Sequence, residues 1–454
     1  MSEAQLIDKT LLTQERLLAL NAALESGAFV QVRRMLNLLS APAIAHLLES
    51  SPVRTREVLW KLVEKENEGE VLNYLNFDIQ ADILTKLSAA EVVTLTEGLD
   101  TDDIADILQN LPEQLIYEVL QAMDDQDRKR LESVLSYPED TAGGLLNTDT
   151  ITVRRSHTLD VVLRYLRRHD EIPEMTDSIL VVDRNDILIG ILPLRKILVS
   201  DPDLTVEDVM ITNFEAIPVT MKQQEIAQLF ERMDWISAPV IDEHGKLVGR
   251  ITIDDIVDVI REESDHSINS MAGLVDGEDT FAPVFKTSKR RAIWLGINLV
   301  TAFLASAVIS QFSAAIDKVV ALAVLMTIVA SMGGVAGNQT LTLVIRSMAL
   351  GQIGKTNSRW LMNRELSVAF LNGILWAIVA GGMAVWWFGD ISLGYIFACS
   401  LVINLMTAAL AGAFLPHGLK SMNIDPALAG GVVLTTITDV VGFLSFLGLA
   451  TLFY

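Results

Sequence analysis

Five apolar stretches fill the last third of the chain and limit its fold before any other feature does: Ala292 to Ile316, Val319 to Ile345, Leu366 to Gly389, Ile391 to Leu419, and Pro426 to Tyr454. About 20 apolar residues of helix cross a bilayer's hydrocarbon core, and each stretch is that long. No Asp, Glu, Lys or Arg interrupts the first four; the fifth holds one, Asp439. Unpaired backbone polar groups are not tolerated against lipid, so spans of this length are read as helices. The chain is expected to end in an all-α transmembrane domain of five helices.

The charges are divided in the same way. Of 454 residues, 58 are Asp or Glu and 35 are Lys or Arg, a net charge of −23. Residues 286–454 hold 5 of the acids and 10 of the bases, leaving 53 and 25 for residues 1–285, so the two parts carry +5 and −28. This excludes a wholly soluble enzyme, and it excludes nucleic acid as a partner, since that needs a basic stripe. A single cysteine, Cys399, cannot build a disulfide framework or a thiolate metal site. Glu3, Asp8, Lys9, Glu15 and Arg16 leave no apolar core for a cleavable signal peptide, so the first domains are expected in the cytosol. Bases precede the first span (Lys286, Lys289, Arg290, Arg291), separate the second from the third (Arg346, Lys355, Arg359, Arg364) and the fourth from the fifth (Lys420); the alternate loops offer Lys318. Positive charge retained inside places the N-terminus in the cytosol and Tyr454 outside.

In the cytosolic part, an apolar residue followed by a turn or cap residue recurs every 12 residues, at Leu87-Ser88, Leu99-Asp100, Leu111-Pro112, Met123-Asp124 and Leu135-Ser136. Ile104, Ile107, Leu108 and Ile116, Val119, Leu120 fall on one helical face in two of these units. Helices this short cannot bury a face alone, so they should stack into a superhelical array. The unit at Met123 departs from the pattern, with Arg128 and Glu132 in it.

A second repeat, of about 60 residues, pairs Val181-Val182-Asp183 and Gly190 with Val240-Ile241-Asp242 and Gly249, a strand–turn–strand reading with helices before and after. It resembles a tandem CBS pair, an α/β regulatory module that often binds adenine nucleotides. Gly249-Arg250-Ile251-Thr252-Ile253-Asp254-Asp255 is similar to that family's nucleotide motif, with Thr252 for phosphate and Asp255 for ribose. The departures are Arg250, where the family prefers an apolar residue, and Pro193 and Lys196 in the first copy. The alternative is that Thr252 and Asp255 only cap the next helix.

An ionisable residue at a helix centre in the bilayer costs at least about 2.5 kcal/mol and is a functional candidate by default. Asp439 sits 13 residues into its span, roughly 20 Å deep at 1.5 Å per residue. Thr435, Thr436 and Thr438 add hydroxyls before it. Asp425, directly before Pro426, reads either as a helix cap or as a carboxylate at the entrance. Asn363-Arg364-Glu365 reads as an interfacial anchor. Gly333 to Gly337 with Asn338 and Gln339 is expected to break the second span and line a path, and Gly333, Gly337, Gly430 and Gly431 suit close helix approach, including in a dimer. Carboxylate, amide and hydroxyl oxygens without His or Cys ligands suit a hard divalent cation. One carboxylate per chain favours an ion that keeps its water, as Mg2+ does.

The order of parts, together with Asp140-Thr141-Ala142-Gly143-Gly144-Leu145, the glycine string, Asn363-Arg364-Glu365, Asp425-Pro426-Ala427 and Thr435 to Asp439, resembles the MgtE family of bacterial magnesium channels over nearly the whole chain. Val335 and Leu146 stand where many members have Asn and Met, and Asp265-His266-Ser267 where relatives often have a Glu-Asp pair. The resemblance implies domains at residues 1–138 (acidic helical), 139–205 and 206–262 (CBS), 263–288 (connecting plug helix) and 289–454 (pore), in a multi-pass protein of the bacterial inner membrane surrounded by lipid. It implies a homodimer whose pore holds hydrated Mg2+ at Asp439, with Asp425, Thr435, Asn338 and Gln339 along it. It also implies regulatory Mg2+ at Asp102, Asp106, Asp255, Asp258 and Glu263, with ATP at the CBS pair as a further ligand. The competing expectations are a secondary-active divalent cation exchanger and a non-transporting nucleotide sensor. No nucleophile–base pair or Walker loop supports an enzyme.

Overall fold

The structure, a computed structural model, describes residues 28–109, 111–169, 172–274, 277–354 and 357–454. The N-terminal residues read for a signal peptide, and Lys355, lie outside them. The described chain forms two compact units, one reaching to Glu263 and including Gly277–Pro283, the other taking Ser264 onward apart from that segment.

Among the described residues the first unit opens with nine helices: α1 (Phe29–Leu36), α2 (Ala41–Glu49), α3 (Val53–Trp60), α4 (Glu68–Asn73), α5 (Phe77–Leu84), α6 (Ala89–Thr96), α7 (Thr101–Gln109), α8 (Glu113–Ala122) and α9 (Asp125–Leu135). The 12-residue period holds, and it extends upstream of where the sequence made it visible. Ser40, Pro52, Asn76, Ser88, Pro112 and Asp124 are all N-caps on that spacing. Ser88 and Glu91 form a capping box, and the Asp124 carboxylate accepts from the amides of Gln126 and Asp127 at 2.8 and 3.0 Å. That cap starts α9 despite Arg128 and Glu132; the helix buries only Leu131 and Val134.

Each CBS copy is a three-stranded sheet. β1 (Thr152–Val153) runs parallel to β2 (Ser178–Val182), which pairs antiparallel with β3 (Leu188–Pro193); β4 (Ile217–Pro218), β5 (Ser237–Ile241) and β6 (Leu247–Thr252) repeat the arrangement. Helices α10 (Leu159–Leu166), α11 (Leu194–Val199), α12 (Val206–Val209), α13 (Gln223–Met233) and α14 (Ile253–Met271) complete the pair. The repeated aspartates build the hairpin turns: Asp183 accepts from Asn185 and Ile187, Asp242 from His244 and Lys246. The repeated glycines make room, since a Cβ on Gly249 would lie 2.5 Å from the Asn147 carbonyl and one on Gly190 2.9 Å from Met210 Sδ.

No single helix covers 263–288. α14 runs on to Met271, Gly273 and Gly277 take positive φ of 70° and 63°, and the next helix begins at Val284. That helix, α15 (Val284–Ser310), is followed by the short α16 (Ser313–Lys318), so the first apolar stretch is two helices rather than one. α17 (Ala321–Ala349), α18 (Ser358–Phe388), α19 (Ile391–Ser421) and α20 (Pro426–Phe453) follow, and among the described residues five helices are long and apolar enough to cross a membrane.

The glycine string does not break the second span, and α17 is continuous through it. Gly333 and Gly337 instead admit neighbours: a Cβ on Gly333 would sit 2.2 Å from Asn404 Nδ2, and one on Gly337 3.0 Å from Leu434. Gly412 of α19 lies against the Gly337 carbonyl, and Gly430 of α20 against Leu341. The close approach expected of these glycines is thus spent within one chain, on packing α17, α19 and α20 together; Gly431 has nothing near it. Asn404, fully buried, keys this junction by donating to the Val329 carbonyl at 2.8 Å.

Candidate ion-conduction and ion-sensing sites

In the membrane unit, Asp439 is partly buried midway along α20. A structural Asp would be bonded to a neighbouring helix. This one is not: among the described residues no side chain or backbone group hydrogen-bonds its carboxylate. Thr435, one turn earlier, shares its face of the helix. The hydroxyls of Thr435, Thr436 and Thr438 donate to the carbonyls of Gly431, Val432 and Thr435 at 2.9, 2.8 and 3.0 Å, which leaves their oxygens as acceptors. Asn338 and Gln339 are exposed on α17, and no hydrogen bond joins either to Asp439. One chain therefore offers the expected oxygen donors on two helices without closing a site.

Asp425 is the N-cap of α20, accepting from Ala427 N at 2.9 Å and Leu428 N at 3.2 Å. It also meets His266 Nε2 at 3.2 Å. His266 lies in the Asp265-His266-Ser267 string that departs from the family pattern. Glu365 is not a plain interfacial anchor. Its carboxylate is buried, pairs with Arg364 at 2.7 Å and accepts from Thr340 of α17 at 3.2 Å.

In the first unit, α7 and the start of α14 bring carboxylates of the helical array and of the second CBS copy into one field. Asp102 is 5% exposed, and its Oδ1, wholly buried, has no hydrogen-bond partner among the described residues. Burial, then the charges of Asp255, Asp103 and Asp100, push its carboxyl well above the usual range. Asp255 is pushed up in the same way by burial and by Asp254, Asp103 and Asp106, opposed by the Thr252 hydroxyl. Burial raises Asp103 to about 6 against its hydrogen bond from Asn73, and Asp258 upward against Arg261. Asp106 is pushed up to about 8 by desolvation and then by the charges of Asp102, Asp103, Glu139 and Glu262, although its side chain is exposed to solvent.

Glu263 is turned elsewhere, accepting from Gln224 Nε2 at 3.4 Å, while Glu262 acts on Asp106. The i, i+3, i+7 spacing of Asp255, Asp258 and Glu262 on α14 is the signal that finds this face. The Thr252 hydroxyl is buried and donates to Asp254 and to Asp255 Oδ2, the latter at 3.1 Å, so in this arrangement it is tied to the two carboxylates that open α14.

The orphaned oxygen of Asp102 and the four raised carboxyls around it are what a cation would relieve, so the residues fit a divalent ion. Among the described residues no three His, Cys, Asp or Glu side chains come together as a metal site. An ion held there would be bound by pairs of carboxylates and by its own water, in the manner of Mg2+.

Comparison with known proteins covers the whole architecture. Residues 39–140 match the MgtE intracellular N domain, 142–201 and 206–262 the CBS domain, and 326–449 the divalent cation transporter domain MgtE. The chain is 31% identical to the magnesium transporter MgtE of Thermus thermophilus over 96% of this chain and 97% of that one, and 28% identical to that of Bacillus subtilis over 97% of both. Among solved structures, the cytosolic domain of the Mg2+ channel MgtE in complex with ATP aligns with a TM-score of 0.50 and 32% identity, covering 54% of this chain and 99% of that one.

Proposed function

Because the chain belongs to the MgtE family of magnesium transporters, we propose that it is a Mg2+-selective channel for magnesium uptake, closed from the cytosolic side by Mg2+ itself. The observation that carries this reading is Asp439: an unpartnered carboxylate in mid-span is too costly to keep without a charge to meet. In this reading the protein works as a homodimer in the bacterial inner membrane, with its N-terminus cytosolic and its C-terminus outside. Asp439 of both copies faces the hydrated ion, whose water donates to Thr435 and to the amides of Asn338 and Gln339. Asp425, held by its capping bonds and His266, stands at the cytosolic entrance.

Regulation is assigned to the cluster of Asp102, Asp106, Asp255 and Asp258. Cytosolic Mg2+ neutralises carboxylates that otherwise repel, and so favours the docked arrangement of α7 against α14. Glu263 is given an outer role through Gln224. ATP, the ligand of one solved relative, would reach the second CBS copy by displacing Thr252 from Asp254 and Asp255, and is read as a modulator rather than a required cofactor. No catalytic residue is assigned.

The test is Asp439→Ala in a magnesium-auxotrophic strain. Loss of uptake with the protein still folded in the membrane supports the reading; full uptake removes it. An exchanger would show Mg2+ flux that follows a counter-ion gradient. A nucleotide sensor would bind ATP with no flux in liposomes.

A further inference from the structure

One buried cation stands out near the sensing cluster. Arg250, on β6, is 5% exposed, at a position where the sequence pattern prefers an apolar residue. It is anchored rather than paired: Nη1 donates to Thr176 Oγ1 at 3.0 Å, Nη2 to the Glu174 carbonyl at 2.7 Å, and Nε, wholly buried, has no partner among the described residues. Among the described residues no carboxylate lies within 4.0 Å of it. Yet Asp100, Asp102, Asp254 and Asp149 are all close enough to act on its charge. The strand's own pairing fixes that distance, since Arg250 N and O bond Asn147, whose side chain donates to Asp100 Oδ2 at 3.0 Å. An arginine does not lose its proton in a protein, so this charge is permanent.

We propose that Arg250 is a built-in counter-cation, which does without metal part of what cytosolic Mg2+ does: it holds the acidic end of α7 against the second CBS copy. The proposal rests on the regulatory reading above. Its logic is that a fixed positive charge on the CBS side, held off contact distance, attracts Asp100 and Asp102 of the helical array without occupying an oxygen. Asp102 Oδ1 stays available to an ion, and the Mg2+-free state is loosened rather than released. Without the guanidinium, the same acids would face one another with nothing between them until Mg2+ arrived.

Amide hydrogen exchange of Ile104 to Leu108, measured on the full chain in lipid nanodiscs, reads this directly. With metal removed by chelator, Arg250→Met should exchange about tenfold faster than wild type, the effect of one unit charge several ångströms from two carboxylates at an intermediate dielectric. At saturating Mg2+ the two proteins should converge, and Arg250→Lys, which keeps the charge but not the forked anchors, should stay near wild type in both conditions. Faster exchange of Arg250→Met by the same factor with and without Mg2+, or Arg250→Lys matching Arg250→Met, would show a merely structural role and overturn the proposal. So would an unchanged rate in chelator. If wild type itself shows no Mg2+-dependent protection, the regulatory reading fails, while the chelator arm still judges Arg250.

Discussion

Docking of α7 against the second CBS copy should weaken as pH rises when Mg2+ is absent. In the docked state Asp103 titrates near 6 rather than at its ordinary 3.8, and Asp106 near 8. A carboxyl raised in one state binds more protons there, so that state is favoured at low pH and loses stability as pH climbs from the ordinary value to the raised one. For Asp103 the whole shift is worth about 3 kcal/mol, of which about 1.4 kcal/mol falls between pH 5 and 8. Asp106 continues the same trend to about pH 8. Its solvent contact reduces its share to about 1 kcal/mol between pH 6 and 8. Opening of the α7 face should therefore become roughly 30- to 60-fold more frequent from pH 5 to 8. Hydrogen exchange of Thr101 to Gln109, corrected for the intrinsic rate at each pH, measures it in chelator and again with saturating Mg2+. With the ion bound the carboxylates are held as anions, and the slope should flatten. Corrected exchange that is level or slower at pH 8 without metal would refute the electrostatic account of the cluster.

Three further perturbations test particular contacts. Arg56 and Asp279 form a buried bidentate pair at 2.8 and 3.0 Å, which ties residues 277–283 to the helical array; Arg56→Ala leaves the carboxylate buried and unpaired and should cost about 3–5 kcal/mol, seen as a lowered midpoint of thermal unfolding. Gly333→Val should abolish a folded membrane unit, judged by size exclusion in detergent, because its Cβ would lie 2.2 Å from Asn404 Nδ2, whereas Gly334→Ala, with nothing within 4 Å, should be tolerated. Asp425→Ala removes the cap of the last span at a cost of about 1 kcal/mol, and should speed exchange of the Ala427 and Leu428 amides.

Much of the architecture was legible because it rests on period and length. The 12-residue spacing placed the caps at Ser88, Pro112 and Asp124, and the Asp–Gly repeat placed both CBS hairpins. The short parallel strands β1 and β4 were missed, since two residues carry no alternation. The glycine string misled for a reason that local propensity cannot show: Gly destabilises an isolated helix by about 1 kcal/mol, but here Asn404 and Leu434 fill the space that its missing Cβ leaves. At the sites, Asp439 stood out because one charge in an apolar span is visible in sequence. The roles of Glu262, Glu365, His266 and Arg250 depend on what faces them across elements, and no spacing within one element contains that.

The central claim is that Mg2+ passes Asp439 through a channel that Mg2+ itself closes. Recording from the reconstituted protein in excised patches, with Mg2+ as the only permeant cation, tests it most directly. Wild type should show discrete unitary currents at low cytosolic Mg2+, lost reversibly as cytosolic Mg2+ is raised, and Asp439→Asn should show none at any concentration. The contradictory result is Mg2+ flux without unitary current, dependent on a counter-ion gradient and retained in Asp439→Asn.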